Sequence, residues 1–360
     1  MEHLQASGLA PTTTAVATAS TANQMLVSVV IPVLGPRQLL QRCLHALRRQ
    51  SFDPRKFEII VVDVEPSSAT QRVVLDIAAL TQGGGPAIHY IGYRGPGGPA
   101  AARNCGWRIA SGELIAFTEP DTQAHSDWLR LGFNSLYQRA EAAWGRIVKP
   151  AVDVTKTRAE RGAGVDTDNA SGGSVAACAA TRFAAGNCFC TRELLQALDG
   201  FDERFNTDWH ADTDLFFRML GRGVLVLHVQ NAWVERVPRV ASWRASLSQN
   251  RQIVFDALLH EKHPMLYQRL ICTTPCSWYY PIVLALMLTC SALLIDAPLL
   301  AAMTGFAWLV LTLILCGQRL AHNSWRIIDL PGVILSSMLS PPLALFWRAV
   351  AAMQFRVRLF

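Results

Sequence analysis

Four short runs of mostly β-branched, apolar residues recur about thirty residues apart, at Val27 to Val33, Glu58 to Val62, Ala87 to Ile91 and Glu113 to Phe117. A run that is apolar throughout, and not at every second position, belongs to a strand covered on both faces, as strands in parallel sheets are. The stretches between the runs are helical. Leu39, Leu40, Cys43, Leu44 and Leu47 recur at helical spacing behind Pro36, a residue that a first helical turn tolerates. Ser68 and Gln71 have the spacing of a capping box ahead of Val73, Val74, Ile77 and Leu80, and the glycines at 83 to 85 end that helix. Pro99 to Ala110 forms a third connector that stops at Gly112. Strand and helix alternate three times, so residues 25–235 are expected to form an α/β domain with a mostly parallel sheet flanked by helices.

The chain around this domain differs in character. Residues 1–24 are rich in Ala, Thr, Ser and Gln and carry no basic stretch followed by an apolar run, which predicts a flexible tail and not a signal peptide. Residues 153–180 are polar and rich in Gly and Ala, the composition of a long mobile loop over the open end of the sheet. Residues 236–276 interleave Arg236, Arg239, Arg244, Arg251, Lys262 and Arg269 with Trp243, Phe255, Leu258, Leu259 and Tyr267, a basic amphipathic segment suited to an anionic membrane surface.

Residues 277–347 are expected to be a transmembrane region. Ser277 to Ile295 and Leu299 to Gly317 are uncharged and long enough to span, with Trp278, Tyr279 and Tyr280 at the interface and the break at Asp296 to Pro298. A third apolar run, Leu330 to Phe346, is interrupted by Pro341 and Pro342 and is read as broken or re-entrant, ahead of a basic tail at 348–360. With 51% hydrophobic and 17% charged residues, the 360-residue chain is too apolar for disorder and for a wholly soluble protein. The nine cysteines lack the paired spacing of a zinc site and are read as reduced thiols. Arg319 and Arg326 follow the second span while the 296–298 turn has no Lys or Arg, which places the α/β domain in the cytoplasm of a bacterial-type membrane. The net charge of +6 then faces lipid, and nucleic acid is not needed as a partner.

Open parallel sheets bind ligands beyond the carboxyl ends of their strands. There the sequence carries Pro32 and Val33 after the first strand, Asp63 and Glu65 after the second, and Glu119, Pro120 and Asp121 after the fourth, while a later helix opens at His210, Ala211, Asp212, Thr213 and Asp214. No Walker loop is present, nor a strand followed by Gly-x-Gly-x-x-Gly. Glu119 and Asp121 flank one residue, so an extended strand end turns both carboxylates to one side, an arrangement open both to a solvated turn and to Mg²⁺ or Mn²⁺ holding a diphosphate. Asp63 also suits a strand-end cap, Arg103 a helix surface charge, Asp212 an N-cap, and Asp214 an acid favoured by the helix dipole.

Taken together, the segments VSVVIPVLGPRQLLQRCLHALRRQSF, FEIIVVDVEPSS, GPAAARNCGWRIASGELIAFTEPDT, AAGNCFCTRELLQALDGFDERF and HADTDLFFRMLGRG resemble the family 2 glycosyltransferases of GT-A fold over residues 26–236. The resemblance implies that Asp63 binds the nucleotide base above a floor of Pro32 and Val33, with Glu65 beside it. It implies that Asp121 ligates Mg²⁺ or Mn²⁺ with Glu119 nearer the ribose, that Arg103 and Asn104 lie near the donor diphosphate, and that Asp212 is the general base. Three departures stand out: Glu119 where the motif starts with Asp, Ala211 where relatives carry Glu, and Arg236 where many carry His. The implied function is inverting transfer of a sugar from a nucleotide-sugar donor to a lipid-linked or cell-envelope glycan acceptor. The departures motivate one alternative, a non-catalytic nucleotide-sugar-binding or scaffolding membrane protein.

Overall fold

The computed structural model describes residues 13–14, 25–34, 37–81, 83–138, 140–148, 183–207, 209–237, 250–271, 278–322 and 330–356. The described residues form two compact units, one made by those up to 237 and one by those from 250 onward.

In the first unit, β2 (Val27–Val33), β3 (Phe57–Asp63), β4 (Ala87–Gly92) and β5 (Leu114–Thr118) run parallel in the order β4-β3-β2-β5. These are the four apolar runs, with β3, β4 and β5 reaching a residue further at their carboxyl ends than the runs suggested. The parallel sheet continues on one side through the antiparallel β8 (Asn187–Thr191) to β7 (Ala142–Val148), β9 (Val226–Arg236) and β6 (Thr122–Ala124). On the other side a two-residue strand, β1 (Thr13–Thr14), pairs antiparallel with β4, within the segment expected to be a flexible tail. The loop expected at 153–180 lies outside the described residues.

Alternation of side chains across the strands builds a core on each face. On one face Val29, Ile31, Ile59, Val61 and Ala116 pack with Leu40, Leu44 and Leu47 of α1 (Arg37–Leu47), Val74 and Ile77 of α2 (Ser68–Ala79), and Trp128 and Leu129 of α4 (Trp128–Gln138). The cap of α2 is one residue earlier than the spacing suggested, because the Ser67 hydroxyl accepts from the Thr70 amide at 3.1 Å. On the other face α3 (Gly98–Ile109) lies so close to the sheet that a Cβ on Gly106 would collide with Val30 and press on Val62. That face also carries α5 (Arg192–Leu198) and α6 (Ala211–Gly221). The architecture is the mostly parallel, helix-flanked GT-A type that the sequence led us to expect.

The second unit is helical: α7 (Ile253–Lys262), α8 (Pro264–Leu270), α9 (Tyr279–Leu294), α10 (Pro298–His322) and α11 (Leu330–Phe355). Thr289 donates to Thr304 at 3.1 Å and Arg319 to the Tyr279 hydroxyl at 3.2 Å, so α9 and α10 run antiparallel as a hairpin. Among the described residues, two helical segments are long and apolar enough to span a bilayer, Pro298–Leu320 and Leu330–Phe355. The sixteen residues of α9 fall short of the ~20 that a spanning helix needs. The third apolar run differs from its expectation: Pro341 and Pro342 lie inside one continuous helix of 26 residues and do not break it. Among the described residues of the 236–276 stretch are two short helices, and four consecutive residues of α7, Asp256 to Leu259, are buried.

Candidate functional site

The carboxyl ends of β2, β3 and β5 lie side by side, and the first group there is Asp63. Its strand places it opposite Val33 of β2. The carboxylate accepts from the amides of Glu65 and Ser67, each at 3.2 Å, and from the Tyr90 hydroxyl of β4 at 3.0 Å. Burial pushes the Asp63 carboxyl above its ordinary range, with the Tyr90 and amide hydrogen bonds pulling the other way. Burial and the neighbouring Asp63 charge push the Tyr90 phenol up to about 12, so it stays protonated and donates. Pro32 and Val33 are buried in the strand end beside Asp63, and Glu65 is exposed one turn residue beyond it. Tyr90 was not picked out from the sequence. Its only signal is a hydroxyl at an inward-facing strand position, which needs the β3 to β4 register to be given meaning.

The second group follows β5. Residues 119–122 make a tight turn in which the Thr122 amide and hydroxyl both donate to the Glu119 carbonyl, at 3.2 and 2.7 Å. The turn leads into β6, whose Thr122 stands opposite Arg236 of β9, and the Val237 amide closes the pairing on the Asp121 carbonyl at 2.9 Å. This register brings Arg236 over both acids: its Nη2 lies 2.7 Å from Glu119 Oε2 and its Nε 3.8 Å from Asp121 Oδ1. Arg103 of α3 approaches Glu119 from the other side, at 3.5 Å, with its guanidinium over the Phe201 ring. Gly186 leaves the space for this cluster, since a Cβ there would lie 2.5 Å from Arg236 Nη2 and 3.2 Å from the Glu119 carboxyl carbon.

The third group is Asp212, the second residue of α6. The cap position belongs to His210, which has a left-handed backbone and makes no side-chain cap bond. Asp212 therefore does not cap the helix, as one reading of the sequence had it. Its carboxylate accepts from the Thr213 amide at 2.8 Å and from the Ala185 amide, in the loop beside Gly186, at 3.4 Å. Burial raises its pKa, while the Arg103 charge, the Thr213 amide, His210 and the Ala185 amide act against the rise. The 185–186 loop ties the second group to the third, since the Ala185 amide bonds Asp212 and Gly186 lies against Glu119 and Arg236.

Two neighbouring residues are engaged within the protein. Asn104 donates to the Phe201 carbonyl and to Glu203, each at 2.8 Å, and accepts from the Phe201 amide and Trp107, each at 2.9 Å, which fixes the 201–203 turn against α3. Asp214 is fully buried and pairs with Arg218 at 2.8 Å, and Arg218 also donates to the Leu198 and Gly200 carbonyls. It serves the packing of α6 on α5 and not only the helix dipole.

The divalent ion implied by the sequence resemblance would draw on Glu119 and Asp121. Among the described residues, no group of three or more His, Cys, Asp or Glu could hold a metal ion. Both carboxylates lie under one guanidinium, and Glu119 also meets a second. This donor set does not fit a protein-held Mg²⁺ or Mn²⁺, which favours several anionic or neutral oxygens and no competing cation.

Comparison with known proteins bears on what this arrangement is for. Residues 28–195 match the model of the family described as Glycosyl transferase family 2. Over those residues the chain is similar to the family 2 glycosyltransferases, as its motifs suggested. Among curated relatives, glycosyltransferase AglE of Haloferax volcanii is 29% identical over 110 residues, 31% of this chain and 35% of that protein. Validoxylamine A glucosyltransferase of Streptomyces hygroscopicus is 34% identical over 116 residues, 31% of this chain and 24% of that protein. The matched stretch therefore spans about a third or less of either relative. Among solved structures, mannosyltransferase PcManGT from Pyrobaculum calidifontis, determined in complex with GDP-Man and Mn²⁺, superposes with a TM-score of 0.53 at 18% identity, covering 90% of this chain and 86% of that one. That likeness establishes the shared fold.

Proposed function

We propose that the chain is a membrane-associated, inverting glycosyltransferase that moves a sugar from a nucleotide-sugar donor to a lipid-linked or cell-envelope glycan acceptor. The observation that carries this reading is the 185–186 loop, whose Ala185 amide donates to Asp212, at the start of α6, at 3.4 Å, and whose Gly186 lies against Glu119, at the turn after β5. It sets a carboxylate suited to proton removal beside a polar cluster at the strand ends, where ligands of such sheets bind.

In this reading Asp63 accepts a hydrogen bond from the nucleotide base, and Tyr90 with the Glu65 and Ser67 amides holds its carboxylate in place. The diphosphate lies over the Glu119 and Asp121 turn. Asp212 takes the proton of the acceptor hydroxyl as that oxygen attacks the anomeric carbon, and the bond from that carbon to the diphosphate oxygen breaks on the opposite face, with inversion. The burial that raises the Asp212 pKa makes it a stronger base than an ordinary surface aspartate. No step depends on a metal. Membrane association and a lipid-linked acceptor are supported by the two helices of spanning length and by the outward-facing Leu309, Leu313, Ile334 and Phe346 on them.

The alternative, a scaffolding protein that binds nucleotide sugar without turnover, is favoured by the guanidinium lying on both acids of the turn. Transfer from UDP-, GDP- and dTDP-sugars by the full-length chain, with product anomers assigned by NMR, separates the two. Turnover with inverted configuration supports the enzyme, retained configuration contradicts the mechanism, and donor binding without turnover favours the scaffold.

A further inference from the structure

We propose that the Arg236 guanidinium, seated on Glu119 and Asp121, is the cation that receives the donor diphosphate, in place of a divalent metal ion. The inference rests on reading the site as a nucleotide-sugar site.

Exposure within the cluster is graded in a telling order. The Arg236 side chain is 25% exposed, that of Glu119 14% and that of Asp121 2%. The charge presented outward is thus the guanidinium, and the carboxylate best placed to ligate a metal lies beneath it. A divalent ion could reach Asp121 only by displacing a cation that is already hydrogen-bonded to Glu119 at 2.7 Å.

The seat of Arg236 is built into the backbone. The β6 and β9 register sets the residue opposite Thr122, the Val237 amide is bonded to the Asp121 carbonyl at 2.9 Å, and the missing side chain of Gly186 leaves room for the guanidinium. Charge balance points the same way. Two carboxylates alone would repel a diphosphate and would need a metal between them and it. Arg236 and Arg103 offset the two carboxylates, and the most exposed of these four side chains is the Arg236 guanidinium. A guanidinium stays protonated at any physiological pH and presents a planar set of donors that matches phosphate oxygens. It therefore offsets leaving-group charge without exchange or loss of an ion.

The test is calorimetry of UDP, GDP and dTDP binding to the full-length chain in EDTA and in MnCl₂, for the wild type, Arg236→Gln and Arg236→Lys. Melting temperatures are measured alongside, and free Mn²⁺ is followed by electron paramagnetic resonance. The wild type is expected to bind one of the three nucleotides with the same affinity in both buffers and to leave the Mn²⁺ signal unchanged. Arg236→Gln should bind about tenfold or more weakly in EDTA, because a charge-assisted pair to phosphate is lost. MnCl₂ should restore its binding, as the ion takes the uncovered carboxylates. Arg236→Lys keeps the charge and should remain indifferent to EDTA. If Arg236→Gln does not fold, the wild type and Arg236→Lys decide the question on their own. Wild-type binding that collapses in EDTA, or Arg236→Gln binding at wild-type affinity in EDTA, overturns the inference and leaves the nucleotide-sugar reading intact. Failure of the folded wild type to bind any of the three nucleotides in either buffer overturns that reading, and this inference with it.

Discussion

Arg236 Nη2 lies 2.7 Å from Glu119 Oε2, although 117 positions separate the two residues in the chain. The β5 to β6 turn positions the acid and the β9 to β6 pairing positions the base. A change to the space around them should therefore be felt at the site before it is felt in the fold.

Gly186→Ala is the smallest such change. Its Cβ would press on the mobile end of Arg236 and on the Glu119 carboxyl, and no backbone atom is among its nearest neighbours. The variant should lose about 1 kcal/mol of stability or less. Its affinity for nucleoside diphosphate should fall several-fold, roughly as Arg236 is displaced. Thermal melts and calorimetry on the same preparation check both expectations.

Asp63→Asn should weaken binding of UDP, GDP or dTDP, whichever the wild type binds, while Tyr90→Phe should largely spare it. Tyr90 supports Asp63 through one hydrogen bond, and deleting such a bond typically costs about 1 kcal/mol of stability. Because burial lifts the Asp63 pKa, nucleotide affinity should begin to fall on acidification at a pH above the ordinary aspartate range. A calorimetric titration series across pH measures that onset.

Asp214→Asn should act in the opposite sense to a site mutation. It leaves Arg218 without its buried partner, and such a loss costs about 3 kcal/mol. Denaturant unfolding should show the drop, and nucleotide affinity in the remaining folded protein should be unchanged.

Much of the first unit was legible in the sequence because covered strands have to be apolar throughout. The first run, Val27 to Val33, coincides with β2, and α3 begins within one residue of the expected position. Asp63, Asp121 and Asp212 could be picked out because each is an acid next to an element end. What could not be read depends on pairing across distance. That Arg236 faces Thr122, that Tyr90 reaches Asp63, and that Asn104 is engaged by the 201–203 turn are matters of register and crossover, which residue types do not encode. Pro341 and Pro342 misled for a related reason: a helix packed against neighbours can absorb the loss of backbone donors that would break an isolated one.

The pH dependence of turnover follows from Asp212. Burial raises its pKa, so the acid limb of the rate profile should lie above the ordinary aspartate range of about 3.9, with activity lost as the pH falls through the raised value. The sign for stability is the reverse of a salt-bridged acid. The folded chain holds this proton more tightly than the unfolded chain, so Asp212 detracts from stability increasingly as the pH rises from the ordinary to the raised pKa. Asp212→Asn should therefore melt no lower than the wild type at pH 7.

The central claim, that Asp212 is the base of a sugar transfer, is tested most directly by the turnover of Asp212→Asn with the nucleotide sugar that the wild type uses. The account predicts a fall of about a hundredfold to ten-thousandfold in rate, with nucleotide affinity and melting temperature preserved. A folded Asp212→Asn variant that turns over at the wild-type rate would contradict it.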